Sequence, residues 1–243
     1  MRFASPPIML GMLCGFLRCA GFQRNSAWGT DVPQPQVFLL DLRMPGQTKA
    51  PTERKDMYGM VNNALKGLIL AEHGEEAWQR IKKRADVSDE VFLSHEPYPD
   101  ETTYQLVAAA AEELAIPAEE VLHRFGMWWV LKTGREGYGH LMESGGRNLP
   151  EFLRNLPNFH TRIMMMFPSL RPPEFECSDA GPDALRLHYR SSRKGLAPFV
   201  VGLLHGLGEM FGTSIKVAHE QRAGSGADHD VFLISWDPPA SLP

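Results

Sequence analysis

The hydrophobic period of this chain changes once, at Pro172-Pro173, and that change limits the fold more than any other feature of the sequence. Upstream, apolar residues recur every three to four positions, as helices require; downstream they mostly alternate, as strands require. Helices are expected at 58–72, 75–85, 101–114, 118–132 and 149–167, with a short helical turn at 138–143. His73-Gly74 separates the first two. Pro117 opens the fourth, with Glu119 and Glu120 near its positive end, and 134–139 breaks it. Pro157 marks a break or a fresh start inside the last. Strands are expected at 174–178, 185–192, 215–221 and 228–236, around an apolar, glycine-spaced helix at 196–211. Helices first, then strands around one helix, is an α+β fold with an antiparallel sheet.

Residues 1–56 carry no sustained period; they are Pro-rich and polar, and only 37–42 reads as a short strand. They are expected to form a poorly ordered extension, or to lie upstream of a natural start at Met57. The domain is then expected at 57–238, with a tail at 239–243. A chain of 243 residues suits one domain plus an extension. Its net charge of −4 gives no electrostatic reason to bind nucleic acid. Cys14 and Cys19 lie near the start and Cys177 stands alone, so neither a disulfide framework nor a cysteine-rich zinc site is expected. The apolar run 7–17 is too short to span a bilayer, and no clean cleavage site follows it. A cytoplasmic protein without a membrane anchor is expected.

Two constellations carry chemistry. If 185–193 is a strand, one of its faces shows Leu185, Leu187, Tyr189, Ser191 and Arg193: apolar first, then a phenol, a hydroxyl and a guanidinium in a row about 13 Å long. Such a row of donors matches carboxylates; an amphipathic strand with a wet polar end has the same pattern. In the helix before Pro172, Leu153, Leu156, His160, Ile163 and Phe167 share one face, with Met164 beside it. A histidine on an apolar stripe is either a core residue bonded to a backbone carbonyl or an axial ligand to a buried haem iron. The other eight histidines show no HxxxH or HExxH spacing, and the chain has no GxSxG, P-loop or GxGxxG-helix motif.

Together these constellations resemble the haem nitric oxide/oxygen binding (H-NOX) family, related to the haem domain of soluble guanylate cyclase. Tyr189, Ser191 and Arg193 match its YxSxR motif, and Asn158-Phe159-His160 matches its proximal histidine segment, with 29 positions from His160 to Tyr189. The segments 125–129, 137–139, 149–152, 170–177, 195–199 and 203–207 are similar to family segments in the same order. The likeness runs from Met57 to about Trp236. It implies haem b (iron protoporphyrin IX) between a helical N-terminal subdomain and a C-terminal four-stranded antiparallel sheet. It implies that His160 ligates the iron, and that Tyr189, Ser191 and Arg193 hold the propionates. Pro173 would press on the porphyrin, Met164 would pack against it, and Val61, Trp129 and Phe199 would line the distal pocket.

Family members that hold O2 tightly carry a distal tyrosine; here that stretch is Ala197-Pro198-Phe199. Bound O2 gains partial negative charge and needs a donor more than NO does. A missing donor forfeits about 1–3 kcal/mol, so NO and CO binding with poor O2 affinity is expected. The resemblance implies that ligand binding weakens the bond to His160 and shifts its helix. It also implies signalling in trans, through a histidine kinase or a diguanylate cyclase/phosphodiesterase, with no catalysis by this chain. Pro157 stands where relatives often carry an acidic residue. The rival readings are an O2-binding haem sensor, a peroxidase-like haem enzyme, which would need a distal acid–base residue, and a binder of another apolar carboxylate without haem.

Overall fold

The computed structural model describes residues 56–88, 91–167 and 170–237. The strand expected at 37–42, and Cys14 and Cys19, lie outside them. The described chain runs β1 (Asp56–Tyr58), α1 (Gly59–Arg84), β2 (Pro97–Pro99), α2 (Asp100–Leu114), α3 (Ala118–Trp128), a π-helical segment (Trp129–Gly134), α4 (Arg135–Glu143), α5 (Leu149–Arg154) and α6 (Leu156–Met166). Then come β3 (Glu174–Gly181), β4 (Ala184–Arg190), α7 (Ala197–Met210), β5 (Ile215–Gln221) and β6 (Asp230–Trp236). The last four strands form one antiparallel sheet in the order β3-β4-β6-β5. None of the described helices is long and apolar enough to cross a membrane.

Two hydrophobic clusters fill the interior. One joins α1, α2 and α3 through buried residues such as Leu65, Trp78, Leu106 and Phe125. The other packs α5, α6 and α7 on the inner face of the sheet, where Leu185, Leu187 and Tyr189 of β4 meet Phe232 and Ile234 of β6. The clusters meet where α3 lies on α7. A Cβ at Gly126 would collide with the Phe199 carbonyl oxygen, and one at Gly202 with that of His123, so only glycine lets these backbones touch. Burying this much apolar surface is the main drive to fold, at about 25 cal/mol per Å².

Four local features depart from the sequence reading. Gly74 does interrupt the first helix (φ 79°, ψ 175°), but the two halves abut and form α1. The helix expected to end at Lys132 instead widens into the π segment and runs on into α4, with Tyr138 irregular inside it. The expected 149–167 helix breaks at Asn155, and Pro157 sits in the first turn of α6, where its missing N–H leaves no bond unmade. The Pro97–Pro99 stretch, which lies in none of the expected elements, pairs with β1. That strand begins at Asp56, so the domain start expected at Met57 falls inside it.

Candidate functional site

α6, α7, the π segment, α4 and the sheet enclose a cavity of about 280 Å³. Its walls are overwhelmingly apolar, and His160 of α6 stands on them. The His160 ring leans on Phe175 of β3, with centroids 5.3 Å apart and planes at 36°. Among the described residues it has no hydrogen-bond partner. Burial pushes its pKa down to about 4, so the imidazole is neutral at pH 7. The core-histidine reading called for a carbonyl partner, and no described residue supplies one. A neutral, unpartnered imidazole facing an apolar cavity can offer its lone pair to a metal.

At the rim stand the three residues of the expected donor row. β4 ends at Arg190, so only Tyr189 lies on the strand; Ser191 and Arg193 follow in the bend beyond it. The straight 13 Å row is therefore corrected to a curved rim. Tyr189 is buried against Phe175, and burial raises its pKa, against a smaller lowering by Ser191. Arg193 is more committed than a free clamp would be. Its Nε and Nη2 donate to Asp100 Oδ2 and Oδ1 at 2.7 and 3.1 Å. Nη2 also donates to the Asp56 carbonyl, and Nη1 to the Arg171 carbonyl, both at 3.0 Å. One of its five N–H groups remains.

Val61, Trp129, Pro173 and Phe199 all lie on the cavity wall. Met164 does not: its helix turns it outward, 38% exposed, and Ile163 and Phe167 take the expected place. Sequence reasoning also missed two residues, Asp100 and Tyr138, and the ring cluster around a third, Phe167. Asp100 is buried at the N-terminus of α2, where a carboxylate is favoured, but its partner is 93 positions away. Tyr138 brings a hydroxyl to the wall, donating to the Met60 sulfur at 3.7 Å. Phe167, just past α6, sits among Tyr58, His95 and Tyr138 with ring centroids 5.4–6.2 Å away. Only its aromatic character could have flagged Tyr138, and no local signal marks Asp100 as the partner of Arg193.

Fold and cavity together give a domain with an apolar pocket, one buried imidazole on its wall and polar side chains at one rim. Known proteins identify the domain. The haem-NO-binding (HNOB) family profile matches residues 58–219, and the chain belongs to that family. Soluble guanylate cyclase gcy-33 of Caenorhabditis elegans is 32% identical over 155 residues, 64% of this chain and 16% of that protein. Soluble guanylate cyclase 89Db of Drosophila melanogaster is 26% identical over 146 residues, 60% of this chain and 22% of that one. This chain spans under a third of the length of these relatives. An H-NOX protein from S. oneidensis in the Fe(II)NO ligation state superposes with a TM-score of 0.68 at 20% identity, over 75% of this chain and all of that one.

The chain is thus an H-NOX haem-binding gas-sensor domain related to soluble guanylate cyclase, and such domains bind haem b. Its own residues fit that group. The unpartnered imidazole, the apolar walls and the hydroxyls at the rim answer an iron, a macrocycle and two carboxylates in turn.

Proposed function

We propose that this protein senses nitric oxide at a ferrous haem ligated by His160, binds CO as well, and holds O2 poorly. The observation that carries this reading is the His160 imidazole on the cavity wall, neutral and without a hydrogen-bond partner among the described residues. The bound haem supplies a ferrous centre that takes a diatomic ligand. His160 offers one lone pair from α6 and so ties that helix to the iron. Tyr189 and Ser191 donate to the propionates, and Arg193 adds its remaining N–H while Asp100 holds it in place. Pro173 and Phe175 press from the His160 side. Val61, Trp129 and Phe199 form the opposite wall and present no hydroxyl. Besides Tyr189 and Ser191 at the rim, Tyr58 and Tyr138 are the wall residues that carry a hydroxyl, and that of Tyr138 is turned to the Met60 sulfur.

With a haem held on His160, weakening of that bond would free α6 to move, and a partner protein would read that movement. The partner is a histidine kinase or a cyclic-di-GMP enzyme acting in trans, in the cytoplasm. Residues 56–237 suffice to hold the haem. Absorption spectra of the reduced protein, with and without NO and in air, test the reading. A five-coordinate NO spectrum and no stable oxygenated form are expected; a ferrous–O2 spectrum that persists in air overturns the gas assignment. His160→Gly should lose the Soret band and regain it with added imidazole.

A further inference from the structure

Two pairs of histidines meet nitrogen to nitrogen. His123 Nε2 and His205 Nδ1 lie 2.8 Å apart between α3 and α7; His188 Nδ1 and His229 Nε2 lie 3.0 Å apart on the outer face of the sheet. The pairs differ in what stands behind them. His229 Nδ1 is 2.6 Å from Asp228 Oδ1, and His188 Nε2 is 2.8 Å from Ser178 Oγ. The outer nitrogens of His123 and His205 have no such partner among the described residues.

We propose that His188 and His229 form a two-histidine site for a divalent transition metal such as copper(II), nickel(II) or zinc(II), on the face of the sheet away from the haem cavity. Two metal–nitrogen bonds of about 2.0 Å put their nitrogens about 2.8 Å apart at a right angle and about 3.3 Å apart at the tetrahedral angle. The observed 3.0 Å lies between. Metal-bound histidines characteristically give their other N–H to a carboxylate or another oxygen, which fixes the ring and raises its basicity. Asp228 and Ser178 stand in those two positions.

The proton count closes. An ionised carboxylate only accepts, so His229 Nδ1 carries the hydrogen and its Nε2 the lone pair. In the neutral pair His188 Nδ1 then donates to His229, and the Ser178 hydroxyl donates to His188 Nε2. On metal binding, His188 moves its hydrogen from Nδ1 to Nε2, and Ser178 turns from donor to acceptor. Both inner lone pairs face the metal and no net proton leaves.

Charge around the pair permits a cation. Arg190, the nearest guanidinium along β4, faces Glu176 at 3.5 Å, and Arg186 is bonded to Glu220. The hydrogen bond from His229 holds the Asp228 carboxyl below its ordinary range. Among the described residues no third imidazole, thiolate or carboxylate joins the two nitrogens, so water completes the shell. His188 directly precedes Tyr189 on β4, and the two point to opposite faces. The metal therefore sits back to back with the phenol at the cavity rim. The proposal is independent of the gas that the haem binds.

The test is copper(II) titration of the full haem-loaded chain, followed by calorimetry and by electron paramagnetic resonance. One copper per chain with coupling to two nitrogens is expected. His188→Ala and His229→Ala should abolish the two-nitrogen signal. Asp228→Asn, at an exposed position, should keep that signal while weakening binding about 10- to 100-fold. His123→Ala should change nothing. Soret and circular dichroism spectra matching the parent establish that each variant is folded. A parent spectrum with one nitrogen or none overturns the assignment. So does a two-nitrogen signal that survives His229→Ala or vanishes in His123→Ala.

Discussion

At the scale of single residues, burial and its electrostatic cost decide most of what the site does. His160 has a folded-state pKa of about 4, well below the ordinary value of 6.5. Without haem, protonation therefore favours the unfolded chain. Stability of the apoprotein should be flat above pH 6.5, fall as pH drops from 6.5 towards 4, and lose up to about 3 kcal/mol over that window. Urea midpoints measured across it should show the fall, and His160→Leu should remove most of it. Arg193 and Asp100 are the second case. Their side chains are only 12% and 5% exposed, and each satisfies the other. Asp100→Asn strands the guanidinium and should cost about 3–5 kcal/mol in the same measurement. Phe199 is the third. A tyrosine there restores a donor to the wall, and Phe199→Tyr should raise O2 affinity about tenfold to a hundredfold, read as a slower O2 off-rate.

At the scale of elements, the sequence was most readable where one period ran unbroken. The helix at 101–114 and the strand at 215–221 come out within a residue of their expected bounds. The π segment was not readable, because its residues keep helical periodicity on both sides and one extra residue per turn leaves no compositional trace. Of the two readings offered for Pro157, the fresh start is the one observed: the break falls at Asn155 and the proline sits in the first turn of α6, where it is tolerated. Likewise His160 and Tyr189 were visible from their apolar faces, whereas Asp100 was hidden by its distance along the chain. Met164 was misread because it and Ile163 flank His160 almost equally in spacing, and only packing decides which turns inward. The α3–α7 contact gives a direct test. Gly202→Ala forces a methyl group against the His123 backbone and should destabilise by about 1–3 kcal/mol, seen as a lower urea midpoint with an unchanged slope.

At the scale of the molecule, the cavity borders both hydrophobic clusters, so its ligand belongs to the core of each. Haem bound at a thousand times its dissociation constant should add about 4 kcal/mol, and the holoprotein should melt well above the apoprotein in calorimetry. The same layout shapes how α6 can move. Phe167 is held by rings from β1, the loop before β2 and α4, while His160 leans on the sheet seven positions earlier. Seven residues of helix span about 10 Å. If the iron of a bound haem pulled on His160, α6, pinned at its Phe167 end, would work as a lever. A displacement of one ångström at the imidazole becomes a swing of about 5° about the Phe167 end. The exposed Met164, Met165 and Met166 lie beside that fulcrum and travel least, so the stroke is greatest at the end that begins with Leu156 and Pro157.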